Sequence, residues 1–274
     1  MSLPHHTLSP SLLSPHKSPS PFTKTRPLHG SIQRLHIKST DVGVVNGVAK
    51  KRKIVEHLML VKAKEELSDA EEKNMLDYLY TSQYHMSGIL AISLGGVEEL
   101  NVDNITHVVY MRFQRKEDLA KFYVNDSYLG ILKEHVKPHC YGLISLDYES
   151  EVEDDIMPIF RRGEEFNYGV ECVLLISFSD NASRHAVEEA LDTLRSLIAE
   201  YSSFIVQATQ GQIFNVTDSE YTHAAVIRFP SLEDLEMFRG SSDYKDMWRL
   251  KFQEVTRKAL LIYFVVDPIG TELM

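Results

Sequence analysis

The sequence predicts an α+β protein built of two like units in tandem, and three observations lead there. Thr106, His107, Arg112, Phe113, Glu117, Asp118, Leu119, Phe122 and Tyr128 return 116 positions later as Thr222, His223, Arg228, Phe229, Glu233, Asp234, Leu235, Phe238 and Tyr244. The repeat reaches upstream with one residue of slippage: Val55-Glu56 answers Val170-Glu171 and Leu76-Asp77 answers Leu191-Asp192 at 115, whereas Ile89 and Gly95 answer Ile205 and Gly211 at 116. Strand and helix periodicities also follow one order in both units. A unit of near 95 residues is far longer than the about 20 to 50 of solenoid or propeller repeats, so two globular domains are expected rather than an array.

Ile54 to Lys62 alternates β-branched and apolar residues as a strand does. Ser68-x-x-Glu71 matches a capping box, and Met75, Leu76, Leu79 and Tyr80 recur at helical spacing, so a helix should run to near Met86, before Gly88. Ile89 to Leu94 reads as a second strand closed by Gly95-Gly96, and Thr106 to Phe113 as a third. Lys116 to Tyr123 and Ser127 to Val136 read as short helices, the latter stopped by Pro138, and Leu143 to Tyr148 as the last strand. The second unit repeats this with strands at Val170 to Phe178, Phe204 to Thr209, Thr222 to Phe229 and Leu260 to Val266. Its first helix is capped by Ser183 and carries the stripe Val187, Ala190, Leu191, Leu194, Leu197 and Ile198.

This order is ferredoxin-like: a four-stranded antiparallel sheet with helices on one face. The face of the third strand that carries His107, Val109, Met111 and Phe113 is too apolar to meet water. It is expected to pack against the matching face of the other unit, so that the two ferredoxin-like units close as one intramolecular dimeric α+β barrel. A pseudo-dimer in cis needs no second protomer, and a monomer is expected. Arg112 and Arg228 have the opposite parity and are expected outward, tied to Glu117-Asp118 and Glu233-Asp234 of the following helix.

Residues 1–40 contain no Asp or Glu, five Lys or Arg, six Pro and eight Ser, too little apolar surface to fold alone. Such a segment reads as an organelle transit peptide or as a tail without an address. The prolines disfavour the amphipathic helix of a mitochondrial presequence, which points to the chloroplast, with the cytoplasm as the alternative. The expected divisions are 1–50 for this segment, 51–148 for the first domain, 149–168 for a link that starts strongly acidic, and 169–268 for the second domain. Removing the first 50 residues takes six of 29 basic and one of 39 acidic side chains, leaving 23 and 38 and a net charge of −15. A body this acidic repels phosphate backbones, so nucleic acid is not an expected partner. No run of 18 apolar residues occurs, and no membrane span is expected. Cys140 and Cys172 lack metal-ligand spacing and read as small buried hydrophobes. His135 to Cys140 crosses the helix-breaking Pro138 and fits no ordinary zinc site.

Val55-Glu56-His57-Leu58, Thr106-His107-Val108-Val109, Glu117-Asp118-Leu119 and Glu134-His135-Val136-x-Pro138 followed by Asp147-Tyr148 together resemble the plant stress-response A/B barrel family, the dimeric α+β barrel domain often called Dabb. The resemblance covers both units and is looser in the second, where Cys172 stands for His57. It implies the barrel fold and an association with stress or plant defence. It also implies a comparison with a polyketide cyclase of the family, in which a tyrosine and a histidine, supported by two strand histidines, close the product ring. His57 and His107 match the supporting histidines. The tyrosine position falls on Phe122, which has no proton to exchange, and the histidine position on Tyr128, a poor base near pH 7. Cyclisation by that mechanism is therefore not expected. The resemblance further implies a magnesium site of main-chain carbonyls at the end of the first helix, falling on Tyr80, Gln83 and Met86. Without carboxylates such a site is weak, and no other cofactor is expected.

By parity His57 shares a face with Met59 and Val61, and His107 with Val109 and Met111. Two imidazoles on neighbouring strands either line a pocket with Phe122 and Tyr128 for a small phenolic or carbonyl ligand, or are hydrogen-bonded core histidines that fix strand ends. The expected function is a stress-response or defence-associated barrel protein that binds a small hydrophobic or phenolic ligand, with no established catalysis. The alternative is a small-pocket enzyme of the cyclase-like or cofactor-free monooxygenase-like kind.

Overall fold

The structure, a computed structural model, describes residues 51–153, 169–217 and 220–266. The expected transit peptide at 1–50 and most of the expected link lie outside the described residues. In chain order the first unit has β1 (Lys51–Ala63), α1 (Asp69–His85), β2 (Ile89–Gly96), β3 (His107–Phe113), α2 (Lys116–Tyr123), α3 (Asp126–Ile131) and β4 (Cys140–Glu153). The second has β5 (Val170–Phe178), α4 (Arg184–Glu200), β6 (Gln207–Thr217), β7 (His223–Phe229), α5 (Leu232–Gly240), α6 (Ser242–Met247) and β8 (Thr256–Val265). α3 runs on into a π-helical turn, Leu132–Val136, and α6 into its counterpart, Trp248–Phe252. The capping box at Ser68 and Glu71 forms in full, and the Ser183 hydroxyl accepts from the Ala186 amide.

The strands form one eight-stranded sheet in the order β2-β3-β1-β4-β6-β7-β5-β8. Each unit supplies four neighbours, and β4 meets β6 at one junction between the units. At the other, Val97 beyond β2 bridges Phe264 of β8, and the Glu98 amide donates to the Tyr263 carbonyl at 3.1 Å. The sheet thus closes into the expected barrel within one chain. β4 is longer than its apolar run because the acidic residues expected in the link belong to the strand. Glu151 and Glu153 lie opposite Lys53 and Lys51 of β1, and opposite charges across a ladder are mutually stabilising. β6 starts at Gln207 rather than Phe204 and runs on to Thr217.

The expected assignment of the sheet faces is corrected by the structure. Val109, Met111 and Phe113 do not face the other unit; they pack beneath the helices with Met75, Leu76, Leu79, Leu119, Phe122 and Tyr128. The lumen is lined by the opposite parity, Leu58, Leu60, Val108, Tyr110, Leu146 and Tyr148, against Val173, Leu175, Val226, Ile262 and Phe264. All seven residues of β3 are buried, so apolar alternation along it carries no sign of which side is which.

Arg112 and Arg228 are likewise not outward. Arg112 is 1% exposed and its Nε and Nη2 grip Glu56, at 3.0 Å and 2.6 Å from Oε1, while Nη2 also donates to the Tyr110 hydroxyl at 2.8 Å. Arg228 pairs with Glu171 in the same way. Burial alone lowers an arginine's pKa, but the Glu56 carboxylate reverses this and holds Arg112 above its ordinary value. Ser93 of the first unit donates to Glu171 at 3.1 Å, so the second pair is bonded across the units, and Thr209 of the second unit bonds the Tyr148 hydroxyl of the first at 2.9 Å.

Candidate functional site

The polar group that the lumen does not use lies on the helix side of the first unit. In register, His57 of β1 lies opposite Asp147 of β4, and Asp147 lies opposite Asn215 of β6. The His57 Nδ1 is 2.7 Å from Asp147 Oδ1, while the Tyr123 hydroxyl and the Asn215 Nδ2 donate to Asp147 Oδ2 at 2.8 Å and 2.6 Å. The Tyr123 hydroxyl is also 3.2 Å from His57 Nδ1. His57 and Asp147 are completely buried, and three donors on one carboxylate offset the cost of burying it. With Nδ1–H given to Asp147, a neutral His57 carries its lone pair on Nε2. That atom is buried and has no hydrogen-bond partner among the described residues. The rings of Phe113, Phe122 and Tyr123 stand edge-on to the imidazole at 6.4, 5.6 and 5.6 Å, and Tyr128 packs on Phe122 at 3.9 Å.

Neither phenol is a base. Burial, then the Asp147 charge, pushes Tyr123 and Tyr128 above the ordinary tyrosine value. Tyr123 therefore acts as a donor, and in the Nδ1–H tautomer His57 offers an acceptor at Nε2. Phe122 carries no hydroxyl; the next residue of the same helix, Tyr123, brings one to His57.

His107 is not part of this group. It lies opposite Val61, whereas His57 lies opposite Met111, so four positions of strand, roughly 13 Å at about 3.3 Å per residue, separate them. Both its nitrogens are engaged: Nδ1 with the Thr106 hydroxyl at 2.9 Å and Nε2 with Glu72 of α1 at 2.7 Å. This ring fastens α1 to the end of the sheet. Tyr80, Gln83 and Met86 lie at the end of α1, where the Gln83 side-chain amide donates to the Tyr80 carbonyl at 3.2 Å. Among the described residues no cluster of three His, Cys, Asp or Glu forms a metal site. A groove of about 490 Å³ lies at the β2–β3 loop, lined by Lys62, Glu99, Asn101, Asn104 and Tyr141 and not by His57.

The second unit exchanges all four polar positions. Cys172, Arg239, Tyr263 and Glu99 stand where His57, Tyr123, Asp147 and Asn215 stand in the first. The Tyr263 hydroxyl donates to Glu99 at 3.1 Å and Arg239 lies 3.8 Å from the same carboxylate, with its guanidinium 5.6 Å from the Tyr263 ring. Burial pushes the Cys172 thiol up to about 12, so it is no thiolate at neutral pH.

The Stress responsive A/B Barrel Domain model matches residues 55–150 and again 170–267. The chain is 21% identical over 252 residues to a stress-response A/B barrel domain-containing protein of Arabidopsis thaliana, covering 91% of this chain and 92% of that one. Among solved structures it resembles an anthrone oxidase-like protein with a TM-score of 0.58 and 10% identity, over 80% of this chain and 93% of the other. It also resembles a monooxygenase candidate from Fusobacterium nucleatum subsp. nucleatum with a TM-score of 0.56 and 8% identity, over 78% and 92%. At such identities these two structures speak for the fold alone.

Proposed function

We infer that this chain, which belongs to the Stress responsive A/B Barrel Domain family, is a stress-associated binding protein whose first unit takes a small phenolic ligand at His57. The observation that carries this reading is His57 Nε2: a buried ring nitrogen without a hydrogen-bond partner among the described residues, held in place through Nδ1 and walled by aromatic rings. An unmet polar atom in such a place costs about 1 to 3 kcal/mol, which a ligand hydroxyl would recover. Phe113, Phe122 and Tyr128 offer ring contacts to the rest of a phenol. Because His57 is wholly buried, entry needs Phe122 or Tyr128 to turn aside, and the π-helical turn that follows α3 is a place where a helix yields. The second unit, with Cys172 in place of His57, acts as a fixed partner.

A second reading rests on the same geometry. A histidine whose Nδ1–H is oriented by a carboxylate is the usual form of a general base, so a bound phenol or an acidic C–H could lose its proton to Nε2 without a cofactor. Calorimetric titration of the full chain with resorcinol-type phenols separates the possibilities. The wild type should bind and His57→Ala should lose about tenfold or more in affinity, the effect of one hydrogen bond. His107→Ala should lower stability and leave affinity unchanged. Equal affinity in wild type and His57→Ala would exclude the site. Turnover of the phenol by wild type and not by His57→Ala would establish the enzyme reading.

For location, we propose the chloroplast from the acid-free, Ser-rich residues 1–40 at the head of the 1–50 segment. Residues 1–50 fused to a fluorescent protein should enter chloroplasts, and a purely cytosolic signal would dispose of the proposal.

A further inference from the structure

Asn215 reaches the His57 site from the other unit, and the backbone has been altered to bring it there. In β6, Gln207, Thr209, Gly211 and Ile213 share one parity; Thr209 and Ile213 face the lumen, bonding Tyr148 and packing in the lumen core. By that parity Asn215 would face the lumen too. The ladder slips at this point: Tyr148 lies opposite Ile213 while Asp147 lies opposite Asn215, so Phe214 is one residue extra on β6. A bulge of this kind turns the following side chain to the other face, and it commonly re-aims a residue next to a site. Here it delivers the Asn215 amide to Asp147 on the helix side.

The opposite junction shows what this contact accomplishes. There the strand-four position is Tyr263, a donor, and the residue arriving from the other unit is Glu99, an acceptor. Where the strand-four position is the acceptor Asp147, the arriving residue is the donor Asn215. Donor and acceptor have been exchanged together, which ties the arriving residue to the group it meets rather than to the junction in general.

We propose that Asn215 is a positioning residue for His57, supplied by the second unit to complete the site of the first. With its Oδ2 taken by Asn215 and Tyr123, Asp147 has one oxygen left to receive His57 Nδ1–H. The imidazole is then held with the proton on Nδ1 and the lone pair on Nε2. The second unit therefore does more than bury the sheet: it fixes the tautomer on which the first unit's recognition depends. The consequence for binding rests on the phenol reading above; the tautomer effect does not.

The test uses the full chain labelled with ¹⁵N at histidine, His57 being assigned by its loss in His57→Gln. Wild type should show His57 as the Nδ1–H tautomer with a slowly exchanging, hydrogen-bonded proton. Asn215→Leu, which keeps the branched shape and removes the donor, should speed that exchange about tenfold or more and mix the tautomers. Asn215→Gln, which keeps an amide, should preserve the wild-type signal, and Glu99→Gln at the opposite junction should leave His57 untouched. An unchanged His57 in Asn215→Leu, or equal loss in the Leu and Gln variants, would overturn the proposal. Resorcinol affinity measured on the same samples tells the two ideas apart: a His57 proton that responds to Asn215 while wild type binds no phenol leaves the positioning role standing and removes the ligand.

Discussion

Arg112→Met is expected to destabilise the barrel by about 3 to 5 kcal/mol, because it leaves the Glu56 carboxylate without its counter-charge in the lumen. Glu56 is completely buried, and the hydrogen bonds it receives from the Arg112 Nε and Nη2 go with the side chain. The Tyr110 hydroxyl loses the Arg112 donor as well. For a folded unit of this size each kcal/mol lowers the melting temperature by about 2 to 4 °C, so a fall of roughly 10 °C is expected. The double replacement Glu56→Leu with Arg112→Met should recover most of the loss, since an apolar pair of similar volume usually does as well as a buried ion pair. Urea denaturation of the single and double variants provides the check. A single variant within about 1 kcal/mol of wild type, or a double variant no better than the single, would show that the pair is not the source of charge balance in the lumen. Arg228→Met at Glu171 should behave alike, because its guanidinium meets that carboxylate in the same way.

These arginines also show where sequence ceased to be informative. The elements were legible because their signals are local: the Ser68 capping box, the helical stripe of α4 and the stop at Pro138 act within a few residues, and each appears in the structure. The duplication showed that the sheets should close on each other. Which face closes was not legible. An arginine in a strand reads as outward, and only the register that sets Glu56 opposite Arg112 reveals a compensated charge within. The extended β4 was missed for a similar reason: Glu151 and Glu153 read as a solvated link until Lys53 and Lys51 are seen opposite them. Of the candidate site, His57 stood out in the sequence by its parity among apolar neighbours and by the family resemblance. Asp147 left a faint signal, a lone carboxylate in the short strand run Leu143 to Tyr148, and Tyr123 sits one place from the position that comparison favoured. Asn215 left none. Its place depends on a junction between units and on a bulge, and neither has a local pattern in the sequence.

Gly211→Val should open the β4–β6 junction, and the reason is steric. A Cβ built on Gly211 falls on the carbonyl oxygen of Glu149 and comes within 2.9 Å of the Tyr148 ring. Gly95, 116 positions earlier, is placed identically at the other junction, where a Cβ falls on the Val265 carbonyl and lies 2.9 Å from the Phe264 ring. A carbonyl cannot turn aside as a side-chain end can, so the strands must part. Overpacking alone costs about 1 to 3 kcal/mol. Parting the strands adds exposure of the lumen residues Leu146, Tyr148 and Ile213, whose burial depends on the junction. Freed edges with apolar faces look for another copy, so Gly211→Val should sediment as dimers or larger species and bind a hydrophobic dye, where wild type is expected to sediment as a monomer. Gly130→Ala in α3 is the matched control: nothing lies within 4 Å of its Cβ, and alanine in a helix should be neutral or slightly stabilising. If Gly211→Val stays monomeric and melts with Gly130→Ala, then the two halves are not held at these glycines, and the close approach of the strands is incidental to how the chain closes.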